Sequence, residues 1–241
     1  LTILLTPLIP CTARMATVAF LAPAFFGRAA TLISWGMVLL ALAILAISGA
    51  VINKTVFGGQ RTAFIMELPL YHIPNWRTIG LLVWQRSAEF VRKAGTVILP
   101  ISIVVWALSV LPGGEVEHSI LASLGRWLEP VGRTMGLDWR LIVALLASFI
   151  AKENSIATLG VLFNAGEGTG LAETLAATYS PATGLAFLTM QVLFIPCVAT
   201  VAAVRQETKS WGWTLFDLAF LLVVSWATAM AVFWLANLAG L

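Results

Sequence analysis

The chain has 241 residues, 60% apolar and 10% charged, with a formal net charge of +3 and a mean hydropathy of +0.95. Soluble domains carry about 25% charged residues, so the composition excludes a water-soluble globular protein and makes the bilayer the main solvent. Several spans of about 20 residues fit, with loops too short for a separate soluble domain, and the small basic excess bears on topology rather than on binding nucleic acid.

The first apolar run, 1–26, is interrupted by prolines at 7, 10 and 23. It opens on Leu1-Thr2-Ile3-Leu4-Leu5, without an initiator Met, a basic n-region or a small-residue cleavage site. It does not read as a signal peptide, and the chain is expected to begin inside a larger protein. Further apolar runs cover 31–52, 94–111, 141–163, 183–204 and 213–236, which predicts six membrane segments. The expected class is all-α: a polytopic transmembrane helical protein with broken or re-entrant helices.

Between the second and third segments, 76–93 is predicted to be an interfacial helix. Trp76, Ile79, Val83 and Phe90 fall along one side, with Arg86, Glu89, Arg92 and Lys93 as polar neighbours. The loop around it holds Lys54, Arg61, Arg77, Arg86, Arg92 and Lys93 against Glu67 and Glu89, which places it in the cytoplasm by the positive-inside rule. If 141–163 crossed fully, the acidic 164–182 loop would be cytoplasmic and Arg205 and Lys209 outside. Entry and return on one side removes both conflicts, so a re-entrant turn is expected near Lys152.

Three breaks carry the candidate chemistry. Ile9-Pro10-Cys11-x-Ala13-x-x-Ala16-x-Val18 repeats as Ile195-Pro196-Cys197-x-Ala199-x-x-Ala202-x-Val204, and paired broken helices are the sequence pointer to a transporter's binding site. Each proline should free a carbonyl, of Thr6 and of Val192, and the exposed C-terminal ends of half-helices favour cations. A cysteine after each break adds a ligand suited to ferrous iron, copper(I) or zinc; alone, either would read as a small buried hydrophobe. The third break holds Lys152 and Glu153, about 16 Å into their segment. Glu153, with Asn154, Ser155 and Thr158 beside it, could face a passing cation, because intramembrane ionisable residues are functional by default; a structural pair holding the turn is the alternative. Asp217 is expected in an interfacial or helix-packing role. His72 and His118 stand singly, and the six methionines are scattered. No P-loop, zinc-protease or serine-hydrolase motif occurs, so transport is favoured over an enzyme.

With these residues placed, the chain resembles the membrane part of the bacterial ferrous-iron transport protein B (FeoB) family. Pro10-Cys11-Thr12-Ala13-Arg14 is similar to that family's Cys-x-Ala-Arg element, with Pro in place of the commoner Ser. Phe64 through Pro74, and Trp84-Gln85-Arg86 through Arg92-Lys93-Ala94-Gly95-Thr96-Val97-Ile98, resemble its central loop and the entry to its second Gate repeat. Ala151-Lys152-Glu153 and Ile195-Pro196-Cys197-Val198-Ala199 match later elements, although Asn154-Ser155-Ile156 stand where many members have valines.

The resemblance implies 1–53 as a broken helix and first full span of FeoB C-terminal type, 54–93 as the cytoplasmic loop, and 94–241 as the second Gate repeat and terminal span. It implies Fe2+ transport through the bacterial inner membrane, with Cys11, Cys197 and Glu153, flanked by Asn154 and Ser155, as path residues. No cofactor is expected in this chain. GTP and Mg2+ would belong to an N-terminal G domain which, with a first Gate repeat, completes such proteins. FeoA-like and FeoC-like small proteins and self-association are the implied partners. A Gate-type nucleoside or other solute carrier, and a non-transporting membrane scaffold, are the alternatives.

Overall fold

The computed structural model describes residues 2–56, 58, 75–93, 95–96, 99–111, 119–163, 169–194 and 196–240. Arg61, Glu67, His72, Glu115, Glu117 and His118, and most of the central loop likened to FeoB, lie outside the described residues.

Among the described residues all regular structure is helical, as the composition predicts. Three stretches are long and apolar enough to cross a bilayer: Thr2–Thr55, Pro181–Thr208 and Trp211–Leu238. The first divides into α1 (Thr2–Leu5), a 3-10 turn at Thr6–Leu8, α2 (Thr12–Phe26) and α3 (Ala30–Thr55). At 26 residues, α3 is about 39 Å long, ample for a hydrocarbon core of about 30 Å. Next come α4 (Trp76–Lys93), α5 (Leu99–Val110) and α6 (Ile120–Gly132). As described, α5 has 12 residues, about 18 Å, so the third expected span is only partly represented by regular helix.

The fourth expected segment is a hairpin. It consists of α7 (Trp139–Ala147), a turn over 148–153 and α8 (Asn154–Leu162). Its open ends meet, with the Arg140 guanidinium 5.0 Å from the centre of the Phe163 ring and Trp139, Leu162 and Phe163 in one apolar cluster with Leu121 and Val143. The two arms therefore return to the same end of the hairpin, the geometry of the re-entrant turn expected near Lys152. Asp138 caps α7 by accepting from the Leu141 N–H at 3.0 Å, and its other oxygen accepts from the Tyr179 hydroxyl at 2.8 Å. This ties the hairpin's entrance to the end of α9 (Thr169–Thr178).

The last two segments are α10 (Pro181–Leu193), broken before α11 (Val198–Thr208), and then α12 (Trp211–Leu238). The central post is α10, packed against α2, α3, α7 and α12, with Phe187, Leu188 and Leu193 wholly buried. Small residues let these helices approach closely. A Cβ on Gly184 would lie 2.6 Å from Phe25, and one on Gly125 would lie 2.5 Å from Val143. The outer faces of α3 and α12 expose Leu32, Trp35, Leu39, Ile47, Val223, Trp234 and Leu235, as suits helices facing lipid. Asp217, expected in an interfacial or packing role, is 1% exposed on α12, with its Oδ1 lacking a hydrogen-bond partner among the described residues.

Candidate functional site

The three breaks meet. Pro10 and Cys11, then Ala151, Lys152 and Glu153, then Pro196 and Cys197 line a single cavity of about 430 Å³, with Pro7, Arg14 and Thr200 completing much of its wall. Cys11 and Glu153 are exposed at the surface of this chain and Cys197 is half-buried, so the cavity is open on one side.

Each break is followed by a helix whose N-cap residue lines the cavity. Cys11 is the N-cap of α2 and Cys197 the N-cap of α11, both extended, with φ/ψ of −85°/167° and −61°/160°. Glu153 is the N-cap of α8. The preceding prolines cannot continue a helix, and the residue after each turns the chain into a new one. Three helix N-termini thus converge on the cavity, each carrying a partial positive charge.

This arrangement corrects one sequence expectation. The breaks were expected to leave bare the carbonyls of Thr6 and Val192, but Thr6 O already has a partner, as do two neighbouring carbonyls at the breaks. Thr6 O accepts from the Ile9 N–H at 3.1 Å. The Arg14 guanidinium, 3% exposed, donates to Pro7 O at 2.5 Å and to Phe194 O at 3.1 Å, joining the ends of the Thr6–Leu8 turn and of α10. The soft or anionic side-chain groups lining the cavity are the sulfurs of Cys11 and Cys197 and the carboxylate of Glu153.

The hairpin tip is held against the α10–α11 break by a hydrogen bond from the Val198 N–H to Phe149 O at 2.9 Å. Lys152 is 3% exposed, with its Nζ 5.5 Å from the centre of the Phe194 ring; an ammonium over an aromatic face keeps part of its solvation. Cys197 Sγ lies 3.4 Å from Thr200 Oγ1.

Of the expected path residues, Cys11, Glu153 and Cys197 share the cavity wall, whereas Asn154 and Ser155 are not among its lining residues. Ser155 is fully buried and its hydroxyl donates to Lys152 O at 2.8 Å, a bond that shapes the turn. Among the described residues no three His, Cys, Asp or Glu side chains come close enough together to hold one metal ion. Cys11, Glu153 and Cys197 thus border one cavity without forming a closed metal centre. Sequence reasoning gave Arg14 no role, although an arginine inside an apolar run was itself a signal.

Residues 34–86 match the family model described as the ferrous iron transport protein B C terminus, and 91–211 match the Gate model, described as nucleoside recognition. The chain is 33% identical to the Fe(2+) transporter FeoB of Methanocaldococcus jannaschii over 99% of its length and 37% of that protein. It is 31% identical to the Fe(2+) transporter FeoB of Staphylococcus aureus strain COL, over 98% of this chain and 36% of the relative. A third relative, 28% identical over 97% of this chain and 34% of its own length, is the Fe(2+) transport protein A/Fe(2+) transporter FeoB fusion protein of Porphyromonas gingivalis. The chain thus spans little more than a third of the curated relatives it matches. No solved structure matches it. Two adjoining family models and full-length relatives that agree with both place the chain in the FeoB family, as the C-terminal part of its membrane region.

Proposed function

We propose that this chain supplies part of the route by which an FeoB-type protein carries ferrous iron through the bacterial inner membrane, as one portion of a multi-pass permease. The observation that supports the reading most is the convergence of Cys11, Glu153 and Cys197 on one cavity. Fe2+ is a borderline metal that binds thiolate and carboxylate, whereas Mg2+ and Ca2+ prefer sets of oxygen ligands. Ligands strung along a wall also suit transport, since a conducted ion must be held firmly enough to enter and loosely enough to leave.

The role is conduction rather than chemistry. GTP and Mg2+ are assigned to the family's G domain and not to these residues. A FeoA-like partner is supported by the relative named as a fusion of Fe(2+) transport protein A with FeoB. The nucleoside reading suggested by the Gate description fits the cavity less well, because its described lining includes no aromatic ring on which a base could stack.

The test is uptake of ferrous iron by cells expressing the complete gene product with Cys11→Ser or Cys197→Ser. Each should lower uptake by about tenfold or more at unchanged membrane abundance. Wild-type uptake in both variants would remove the thiols from the route, and competition by nucleosides rather than divalent metals would replace the substrate.

A further inference from the structure

Arg14 stands at a position where the two halves of the internal repeat differ. It lies three residues after Cys11, and its counterpart three residues after Cys197 is Thr200. Only the first half of the repeat thus carries a cation there, and that cation spans both halves, since its guanidinium binds Pro7 O beside the first break and Phe194 O beside the second. Lys152 reaches the same residue from the other side, over the Phe194 ring.

Carbonyls at the broken ends of membrane helices are the usual oxygen ligands for hard cations at such places. Here both are hydrogen-bonded to a fixed positive charge. A divalent ion on either oxygen would sit about 2.0 to 2.6 Å from it, and so within about 6 Å of a guanidinium nitrogen, where like charges repel strongly away from water. Of the two residues only Pro7 lines the cavity, and with its oxygen closed the anionic or soft side-chain atoms on the wall are the sulfurs of Cys11 and Cys197 and the carboxylate of Glu153.

We propose that Arg14 is a specificity-determining positioning residue. By engaging the Pro7 carbonyl on the wall it denies that oxygen to hard cations such as Mg2+, and by also binding the Phe194 carbonyl it ties the Cys11 break to the Cys197 break. This rests on the reading of the cavity as a divalent-metal route, and it adds that exclusion of Mg2+ is built into the site by a buried positive charge.

The experiment uses the complete gene product in membrane vesicles, as wild type, Arg14→Lys and Arg14→Gln, with two readouts. One is Fe2+ uptake under reducing conditions at rising Mg2+. The other is the rate at which a maleimide labels Cys11 and Cys197 with Fe2+ or Mg2+ present. Wild type should take up Fe2+ with little competition, and Fe2+ but not Mg2+ should slow its labelling. Arg14→Gln should become sensitive to Mg2+ at a concentration about tenfold lower, a change worth 1.4 kcal/mol. Arg14→Lys keeps the charge but cannot present the same two-pronged donor, and should fall between.

Lysine preserves the charge, so Arg14→Lys decides the matter if the Gln variant does not reach the membrane. Wild-type resistance to Mg2+ in Arg14→Lys and in any folded Arg14→Gln would overturn the proposal, as would an equal fall in Fe2+ uptake at every Mg2+ concentration. If wild type itself neither takes up Fe2+ nor shows protection by it, the transport reading fails. That outcome is separate, because it appears before any Arg14 variant is compared.

Discussion

The Val198 N–H donates to the Phe149 carbonyl at 2.9 Å across 49 positions of sequence, joining the tip of the α7–α8 hairpin to the first residue of α11. Both groups would otherwise be unsatisfied, Val198 N–H as an orphan donor of a helix N-terminus and Phe149 O as part of a turn. One bond therefore serves two breaks and sets where Glu153 stands relative to Cys197.

Val198→Pro tests that bond. Proline suits the first position of a helix, and the extended backbone of Cys197 is the conformation that a following proline favours. The donor is lost, the ring's Cδ takes the place of its hydrogen, and the buried Val198 side chain is replaced by a proline ring. The variant should cost about 1 kcal/mol of stability and label faster at Cys197 in a thiol assay. Unchanged labelling would mean that the tip is held by other contacts.

Gly184→Ala tests how closely α10 and α2 pack. Alanine ordinarily favours a helix over glycine by about 1 kcal/mol, but here its Cβ would lie 2.6 Å from Cγ of Phe25 and 3.0 Å from its Cβ. Those atoms are the root of the ring and cannot swing away as a side-chain tip could. The expected result is a net loss of about 1 to 3 kcal/mol in thermal unfolding in detergent, relieved in part by Phe25→Ala, which removes Cγ and the ring.

Much of this was legible in the sequence because burying backbone in lipid leaves so few options. The helical class followed from composition, and the re-entrant path from the conflict that Arg205, Lys209 and the acidic 164–182 stretch would otherwise create. The pairing of Cys11 with Cys197 followed from the repeated Ile-Pro-Cys. Hydropathy, by contrast, carries no direction for a side chain. It could not tell that Ser155 turns back onto Lys152 O while Glu153 faces the cavity. Nor could it tell that the Phe194 carbonyl beside the second break would be met from within, since its partner lies 180 residues away at Arg14.

Alkaline pH should loosen the hairpin entrance. Tyr179 lies outside the spanning segments, and its hydroxyl is held above the ordinary tyrosine range, first by burial and then by the neighbouring Asp138 carboxylate. With the folded value raised, the folded state keeps its proton where the unfolded chain has lost it, so this contribution is complete below about pH 10 and declines as pH rises beyond it. Stability measured from pH 8 to 11 should fall above that point in wild type. Tyr179→Phe, which removes the titrating group along with the 2.8 Å bond to Asp138, should be less stable at pH 8 by about 1 to 2 kcal/mol and show a flatter decline.

Glu153 and Ser155 separate conduction from support at the same turn. The Glu153 side chain caps no backbone N–H of α8 and borders the cavity, so Glu153→Gln keeps the shape of the tip and removes one negative charge from the wall. Uptake of Fe2+ should fall by about tenfold with thermal stability unchanged. Ser155→Ala removes the hydroxyl bond to Lys152 O from a site that is 0% exposed, leaving that carbonyl the longer 3.3 Å bond from the Ser155 N–H. Its effect should appear as about 1 to 2 kcal/mol of lost stability, with uptake per folded molecule near wild type. The opposite pattern, stability lost at Glu153 and uptake lost at Ser155, would move the passage to the other side of the turn.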